Sequence, residues 1–439
     1  MTQLWRGETD KAIRNFPISG ERVPVQVVRM LARVKAEAAR VNGDLGLLDA
    51  ALAERVAAAA EAVAAGRHDD QFPIDVFQTG SGTSTNTNVN EVVASLAGEG
   101  VHPNDHVNMC QSSNDVFPTA VHLAALDAAQ HDLLPALDGL AASLAAKAAE
   151  LAEVIKPGRT HLMDATPVTL GQEFQGYAAQ VGEGVERVRA ALPRVGKLPL
   201  GGTAVGTGLN AHPEFAARVR ERVAAATGLR LAPPAHPFEA QGARDALVEL
   251  SGALKTVAVS CTKIANDIRW MGSGPRAGLA EVFLPELQKG SSIMPGKVNP
   301  VMCEVLTQVS AQVIGNDAAI TVGGLSGAFE LNVYIPLIAR NLLQSITYLA
   351  AACRAFADKC VDGITANTER ARALAESTLV LVTGLNPVVG YDEAAAISKK
   401  AAATGRSLRE VALDHGVPAD VLDKALDLRA MARGNGFAG

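Results

Sequence analysis

Apolar side chains recur at alternating steps of four and three in the last third of the chain. The clearest run comprises Leu342, Ile346, Leu349, Cys353, Phe356 and Cys360. Such a run places its members on one face of a helix, and long helices of this kind pack together in bundles. Pro336, just before this run, predicts a kink or a late helix start because it removes one ladder hydrogen bond. This pattern limits the fold more than any other feature does.

A second helix is predicted just before that one. It carries apolar residues at the same spacing, namely Met302, Val305, Val309 and Val313. Aromatic residues make up only 4% of the chain, and stretches such as 51–66 are mostly alanine. This bias favours close-packed helices over β-sandwiches, whose strands are rich in aromatic and β-branched residues. A helix is predicted to start near Glu91, where the preceding asparagines could cap it. Further helices are predicted for 116–153, from about 173 to 194, and for 238–270, and a loop is expected at 156–172.

The length of 439 residues predicts about three domains. Long helical stretches dominate the middle of the chain, and shorter, more charged helices follow about Gly363. We therefore predict a mainly α fold with an N-terminal domain (1–112), a central bundle of long helices (113–363) and a small C-terminal helical domain (364–439).

Composition excludes several classes of partner. The net charge is -6, with 40 basic and 46 acidic residues, so no basic face for nucleic acid is expected. No apolar run approaches the ~18 residues of a membrane-spanning helix. The five cysteines are dispersed and odd in number, which argues against a disulfide framework. These features predict a cytoplasmic protein without a nucleic-acid or membrane partner.

No familiar cofactor or metal motif is present in the sequence. No pair of cysteines has zinc spacing, and Cys353 and Cys360 lie on the packing face described above. The glycine-rich segment 201–208 lacks the strand–turn–helix context of a dinucleotide fingerprint. The segment 290–297 has a lysine after glycine but not the phosphate-loop spacing.

Four short polar segments near the ends of predicted helices are rich in small hydrogen-bonding residues. They contain Ser81, Gly82 and Thr83; Ser112, Ser113 and Asn114; Thr160 and His161; and Ser291, Ser292, Lys297 and Asn299. Any one segment alone is explained as a cap or turn. Together they suit a small polyanion, bound by neutral donors, one lysine and the N–H groups of a helix beginning near Pro300.

His161 is the strongest acid–base candidate, because only histidine titrates near neutral pH without perturbation. Glu304, on the helix after the last polar segment, could orient and charge a histidine if the fold brings them together. The plainer alternatives are a loop histidine making one structural hydrogen bond and a solvated helix glutamate.

At these segments the chain resembles class II fumarases of the aspartase/fumarase superfamily. The segments that carry the resemblance are GSGTSTNTNVNEV (80–92), HPNDHVNMCQSSNDVFPTA (102–120), GRTHLMDATPVTLGQEF (158–174), GGTAVGTGLN (201–210), GSSIMPGKVNPVMCE (290–304) and GAFELNVYIPLIARN (327–341). The last but one is highly specific for the superfamily but does not by itself identify the substrate. The likeness extends over nearly the whole chain.

A few residues favour fumarase over aspartase within the superfamily. The stretches HPND (102–105) and QSSND (111–115) resemble fumarases. Aspartases usually have glutamine where this chain has His161, and commonly alanine where it has Gly296. Aspartate ammonia-lyase is the alternative with the same fold. A non-catalytic helical scaffold is a third hypothesis, and it predicts damage in at least one catalytic segment. No such damage is visible at Ser291, Lys297 or Asn299.

The resemblance implies reversible hydration of fumarate to L-malate in the tricarboxylic acid cycle, through an aci-carboxylate intermediate and without metal or organic cofactor. It makes Ser291 the base at C3, and His161 with Glu304 the acid or base on the hydroxyl side. It assigns the dicarboxylate to Ser81, Gly82, Thr83, Ser112, Ser113, Asn114, Thr160, Ser292, Lys297, Val298 and Asn299. A second anion site would comprise His102, Pro103, Asn104 and Asp105.

The resemblance also implies an assembly. Members of the family are homotetramers whose central helices form one shared core, and each active site draws segments from three subunits. The N-terminal domain (1–112) would then be the lyase domain of the family. This chain departs from the pattern of the family in two places. It lacks the longer N-terminal arm that many fumarases carry, and it lacks a basic residue just before His102, which concerns the second anion site.

Overall fold

The computed structural model describes residues 2–434. Eighteen α-helices lie in this part of the chain: α1 Gly7–Asn15, α2 Val25–Asp44, α3 Ala50–Ala64, α4 Thr83–Ala97, α5 Ser113–Ala128, α6 Leu134–Glu150, α7 Leu170–Val195, α8 Phe215–Thr227, α9 Pro237–Gly242, α10 Asp245–Met271, α11 Val301–Leu325, α12 Ile335–Lys359, α13 Thr368–Ser377, α14 Asn386–Val389, α15 Tyr391–Thr404, α16 Leu408–Asp414, α17 Ala419–Ala425 and α18 Leu428–Arg433. The prediction of a mainly α fold is confirmed.

Strands are few and short. They form two antiparallel pairs, β1 Ile155–Thr160 with β2 Met163–Thr169, and β3 Val282–Phe283 with β4 Thr365–Ala366. No described helix is both long and apolar enough to cross a membrane.

The chain divides into two compact units. Unit 1 contains the residues up to Ala136, Gly184–Val259 and Gln308–Ala351, and unit 2 contains Leu137–Glu183, Ser260–Thr307 and the residues from Ala352 onward. In unit 1, α2 and α3 pack against each other through fully buried alanine, valine and leucine side chains. The predicted domain boundaries at 112 and 363 stay a prediction.

The apolar pattern of α12 is confirmed, because all six residues of the predicted run are buried. Pro336 is the second residue of this helix, so the proline causes a late start rather than a kink. The pattern predicted for α11 is only partly right. Val313 is buried, but Val305 is exposed, and Cys303 and Leu306 are buried instead.

Two predicted helix boundaries are wrong. α4 begins at Thr83 and not near Glu91, so the asparagines between them lie inside the helix. The helix expected over 238–270 is interrupted, since Ala243 adopts an extended conformation between α9 and α10. At this break the buried Arg244 Nη2 donates to the carbonyl oxygen of Gln241 at 2.8 Å.

A hairpin replaces the loop expected at 156–172. His161 and Leu162 form its two-residue turn, with φ values of 57° and 61°. Positive φ at both central residues matches the type I′ turn, whose twist suits a tight antiparallel hairpin. A bulge at Pro157/Gly158 bends β1, and a Cβ on Gly158 would lie 2.6 Å from the Thr166 carbonyl oxygen. The tertiary fold here overrides the poor strand propensity of proline and glycine.

Candidate active site

The 81–83 segment forms the start of α4 in unit 1. Gly82 precedes the helix with a left-handed φ of 76°. The hydroxyl groups of Ser81 and Thr83 lie 2.7 Å apart, and Ser81 is buried. Two hydroxyls therefore flank the first turn of a 15-residue helix, where an anion is favoured.

Gly82→Ala should destabilise the protein. A Cβ at this position would lie 2.2 Å from the Phe117 ring, and φ is positive as well. We expect the free energy of unfolding to fall by about 2–3 kcal/mol, from backbone strain and overpacking together. The measurement is a denaturant midpoint. Gly100→Ala is the matched control, because Gly100 has φ of 80° but no atom within 4 Å of its Cβ. Equal losses in the two variants would show that the contact with Phe117 is unimportant.

The 112–114 segment forms the start of α5, also in unit 1. Ser112 is the N-cap, and its side chain forms a capping box with Asp115. The buried Asp115 carboxylate also accepts the backbone N–H of Gly201 at 2.9 Å and of Thr203 at 3.1 Å. Burial raises the pKa of Asp115, and these N–H groups oppose that rise. Asp115 thus joins the glycine-rich 201–208 segment to the beginning of α5.

The two helix starts are joined by Asn86 of α4. Its amide nitrogen donates to Ser113 Oγ at 2.9 Å and to Asn108 Oδ1 at 3.1 Å. Asn108 Oδ1 also accepts from Nζ of Lys35 at 3.1 Å. Burial lowers the pKa of this lysine to about 7, although the charge of Asp115 raises it. The structure therefore brings together the 81–83 and 112–114 segments.

The residues predicted as a second anion site form an exposed π-helical turn. Its N–H groups at Asn104 and Asp105 donate to Nδ1 of His102 at 3.3 and 3.1 Å. The backbone N–H of His102 in turn donates to the ring of His106. Two of the N–H groups that an anion would use are thus already bonded to the His102 ring.

Thr160 and His161 lie at the exposed tip of the β1–β2 hairpin in unit 2. Neither side chain hydrogen-bonds to any other residue between 2 and 434. Ion pairs anchor the strands of the hairpin below this tip. Arg159 donates to both oxygens of Glu281, at 2.8 and 3.0 Å, and Glu281 is 0% exposed. Lys156 completes the cluster, with Nζ 2.7 Å from Glu173 and 3.5 Å from Glu281.

Glu281→Gln should weaken this attachment of the hairpin. The amide still accepts one hydrogen bond, but the charged partner of Arg159 is lost in a buried site. We expect the free energy of unfolding to fall by about 1.5–3 kcal/mol. Thermal unfolding measures the effect. Glu376→Gln is the control, because Glu376 forms an exposed ion pair with Arg372 and should leave the midpoint unchanged. A midpoint unchanged in both variants would contradict the argument.

The 290–299 loop of unit 2 is closed on itself. The N–H of Gly290 donates to the Lys297 carbonyl at 3.1 Å, and the Asn299 side chain donates to the Gly290 carbonyl at 2.6 Å. A Cβ at Gly290 would lie 2.0 Å from the Lys297 carbonyl oxygen, so glycine is required there. Gly296 has φ of 76°, which also favours glycine. The neck of the loop is therefore tied, and its tip is exposed.

Ser291 Oγ accepts two backbone hydrogen bonds within this loop. The donors are the N–H of Ile293, at 3.2 Å, and the N–H of Met294, at 3.0 Å. Two N–H donors stabilise an oxygen that carries negative charge, and they favour the deprotonated form of the hydroxyl. Ser292 and Val298 are exposed, as is Lys297, whose ammonium group has no partner among residues 2–434.

Glu304 lies in the first turn of α11, directly after the loop. A carboxylate there interacts favourably with the helix dipole. The predicted residues thus divide between the two units, with those at 81–83 and 112–114 in unit 1 and those at 160–161 and 291–304 in unit 2. Within residues 2–434, no cluster of three or more histidine, cysteine or acidic side chains could hold a metal.

Sequence reasoning missed the residues that support these segments. Asp115 could have been found, because Ser112 followed by an acid three residues later is a capping-box signature. Lys35, Asn86 and Glu281 carry no such local signal. Their partners are distant in the chain, as with the 122 residues between Arg159 and Glu281.

Two family models match the chain. The first, described as Lyase, matches residues 1–315, and the second, described as Fumarase C C-terminus, matches residues 381–433. A curated class II fumarate hydratase from Mycobacterium tuberculosis is 59% identical over 439 residues, which cover 98% of this chain and 93% of the relative. One from Nitrosomonas europaea is 51% identical, covering 98% and 95%.

Solved structures agree with these relatives. A recombinant class II fumarase from Schistosoma mansoni superimposes with a TM-score of 0.97 at 38% identity, covering 98% of this chain and 96% of that one. A fumarate lyase:delta crystallin from Brucella melitensis gives a TM-score of 0.95 at 44% identity, with the same coverage. The resemblance seen in the sequence is confirmed, and the chain belongs to the class II fumarate hydratase family.

Proposed function

We propose that this fumarate hydratase interconverts L-malate and fumarate by acid–base catalysis that uses only its own side chains and backbone. Removal of a proton from C3 of malate gives an aci-carboxylate, and the C2 hydroxyl then leaves as water. Ser291 is the base at C3, and His161 with Glu304 assists the hydroxyl group. The observation that carries this proposal is the pair of backbone N–H groups on Ser291 Oγ.

An ordinary serine hydroxyl is a poor base, so its activation has to be explained. The N–H groups of Ile293 and Met294 stabilise the alkoxide of Ser291 before and during proton removal. Lys297, in the same loop, adds a positive charge that no residue between 2 and 434 neutralises. Closure of the loop over substrate would exclude water and strengthen both effects.

The dicarboxylate is proposed to bind where helices begin. The starts of α4 and α5 offer the hydroxyls of Ser81, Thr83 and Ser113, and the first turn of α4 adds N–H groups. In unit 2, Thr160, Ser292, Lys297, Val298 and Asn299 would hold the other carboxylate. Neutral donors and one lysine suffice for a dianion, because helix N-termini themselves favour negative charge.

We propose a homotetramer with a shared helical core. One face of α11 carries exposed small or apolar residues within unit 1, namely Ala311, Ile314, Ala318, Val322 and Leu325. Leu325 is 72% exposed. Such a stripe on a long helix is suited to packing against a second helix of the same kind. In this assembly, segments from three subunits would form each active site, in a cytoplasmic enzyme of the tricarboxylic acid cycle.

Incubation of the EDTA-treated protein with L-malate, and separately with L-aspartate, tests the substrate. We expect the ultraviolet absorbance of fumarate to rise with malate alone. A rise with aspartate would instead favour the ammonia-lyase alternative, which His161 and the hydratase relatives disfavour. Loss of malate turnover after EDTA treatment, restored by a metal, would contradict the cofactor-free mechanism.

A further inference from the structure

Lys35 is a buried lysine whose ammonium group is bonded only by neutral side chains. Lys35 lies on α2 and is 0% exposed. Nζ donates to Asn108 Oδ1 and to Gln111 Oε1, both at 3.1 Å. No ion pair within residues 2–434 includes it. The nearby carboxylate of Asp115 is itself occupied by backbone N–H groups.

Stability alone does not account for a lysine at this position. Removing an ammonium group from water is costly, and two amide oxygens compensate only part of that cost. An unbranched apolar side chain of similar length would fill the same space without this desolvation cost. A buried charge that is retained in this way indicates a role in the site it supports.

The contacts of Lys35 lead directly to the predicted substrate residues. Gln111 immediately precedes Ser112, the N-cap of α5. Asn108 Oδ1 also accepts from Asn86, whose amide nitrogen donates to Ser113 Oγ at 2.9 Å. The ammonium group therefore braces both ends of the 108–111 turn, and this turn sets the position of the 112–114 segment.

We propose that Lys35 is a positioning residue for substrate binding, which holds the 108–111 turn in place and, in its protonated form, supplies positive charge beneath the 112–114 carboxylate subsite. This inference rests on the proposed assignment of Ser112, Ser113 and Asn114 to the substrate. The ligand it favours is a carboxylate, because a cation in a low-dielectric interior acts on an anion over several ångströms.

Lys35→Met in the full-length assembled enzyme tests the inference. We expect KM for L-malate, and the inhibition constant of the unreactive dianion succinate, each to rise about tenfold. The change in kcat should be less than about threefold, since Lys35 touches no reacting atom. The thermal midpoint should stay the same or rise, because the buried charge is gone. Lys11→Met is the control, since Lys11 is exposed and pairs with Glu8.

Several outcomes would overturn the inference. A lower midpoint with unchanged KM would make Lys35 purely structural. If Ser113→Ala raises KM but Lys35→Met does not, the inference fails while the proposed site stands. If neither variant changes KM, both the inference and the assignment of the 112–114 segment to the substrate fail. Lys35→Gln, which keeps one amide donor, should show a smaller rise in KM and carries the test if the methionine variant does not fold.

Discussion

Ser291→Ala lowers kcat for L-malate dehydration by at least two orders of magnitude, the expected loss when a general base is removed. The Oγ that receives two N–H bonds is absent in this variant, so the loop lacks the oxygen proposed to take the C3 proton. KM should change little, because the carboxylate-binding residues are intact. Initial rates of fumarate formation, measured over a range of malate concentrations, separate the two constants.

Ser377→Ala is the control for this variant. Ser377 lies exposed at the end of α13 and donates only to the carbonyl oxygen of Leu374. Its kcat should equal that of the wild type. Near-normal turnover in Ser291→Ala would end the assignment of Ser291 as base. Exchange of the C3 proton with solvent offers an independent readout, and it should slow together with turnover.

His161→Asn has the second large effect, again a loss of at least two orders of magnitude in kcat. Asparagine tolerates a left-handed conformation, so it fits the φ of 57° at the hairpin turn. The variant therefore removes the titratable ring while keeping the backbone. If the ring transfers a proton, the pH–rate profile of the variant should lose one of its limbs as well.

His68→Asn is the matched histidine control, because its side chain caps no helix and lies on no proposed segment. It should keep the wild-type rate and pH profile. A normal profile in His161→Asn would remove this histidine from the mechanism. A lowered rate with both limbs intact would mean that His161 binds substrate rather than transferring a proton.

The long helices were predictable, because their apolar periodicity is a local signal. The start of α4 was not. Asparagine favours helix caps in general, but Asn88 here is buried and donates to the Gln71 carbonyl at 3.1 Å, which a sequence pattern cannot show. The hairpin was missed for the same reason. Pro157 and Gly158 disfavour strands locally, and the ion pairs that hold the stem join distant parts of the chain.

In the candidate site, too, some residues were predictable from the sequence and others were not. The segments predicted to contact substrate are short and compact in sequence, so their residue types alone suggested an anion site. The residues that support them lie far away, as with the 76 residues between Lys35 and Gln111. Such contacts between distant residues depend on the tertiary structure. They therefore cannot be predicted from a local sequence pattern.

The tied neck of the 290–299 loop has a consequence for the timing of catalysis. Since Gly290 and Asn299 are bonded across the neck, the segment between them should swing as one piece. The proton acceptor and the positive charge that steadies the substrate would then be delivered and withdrawn in a single event. Release of the product would then move Ser291 and Lys297 away from the substrate position together.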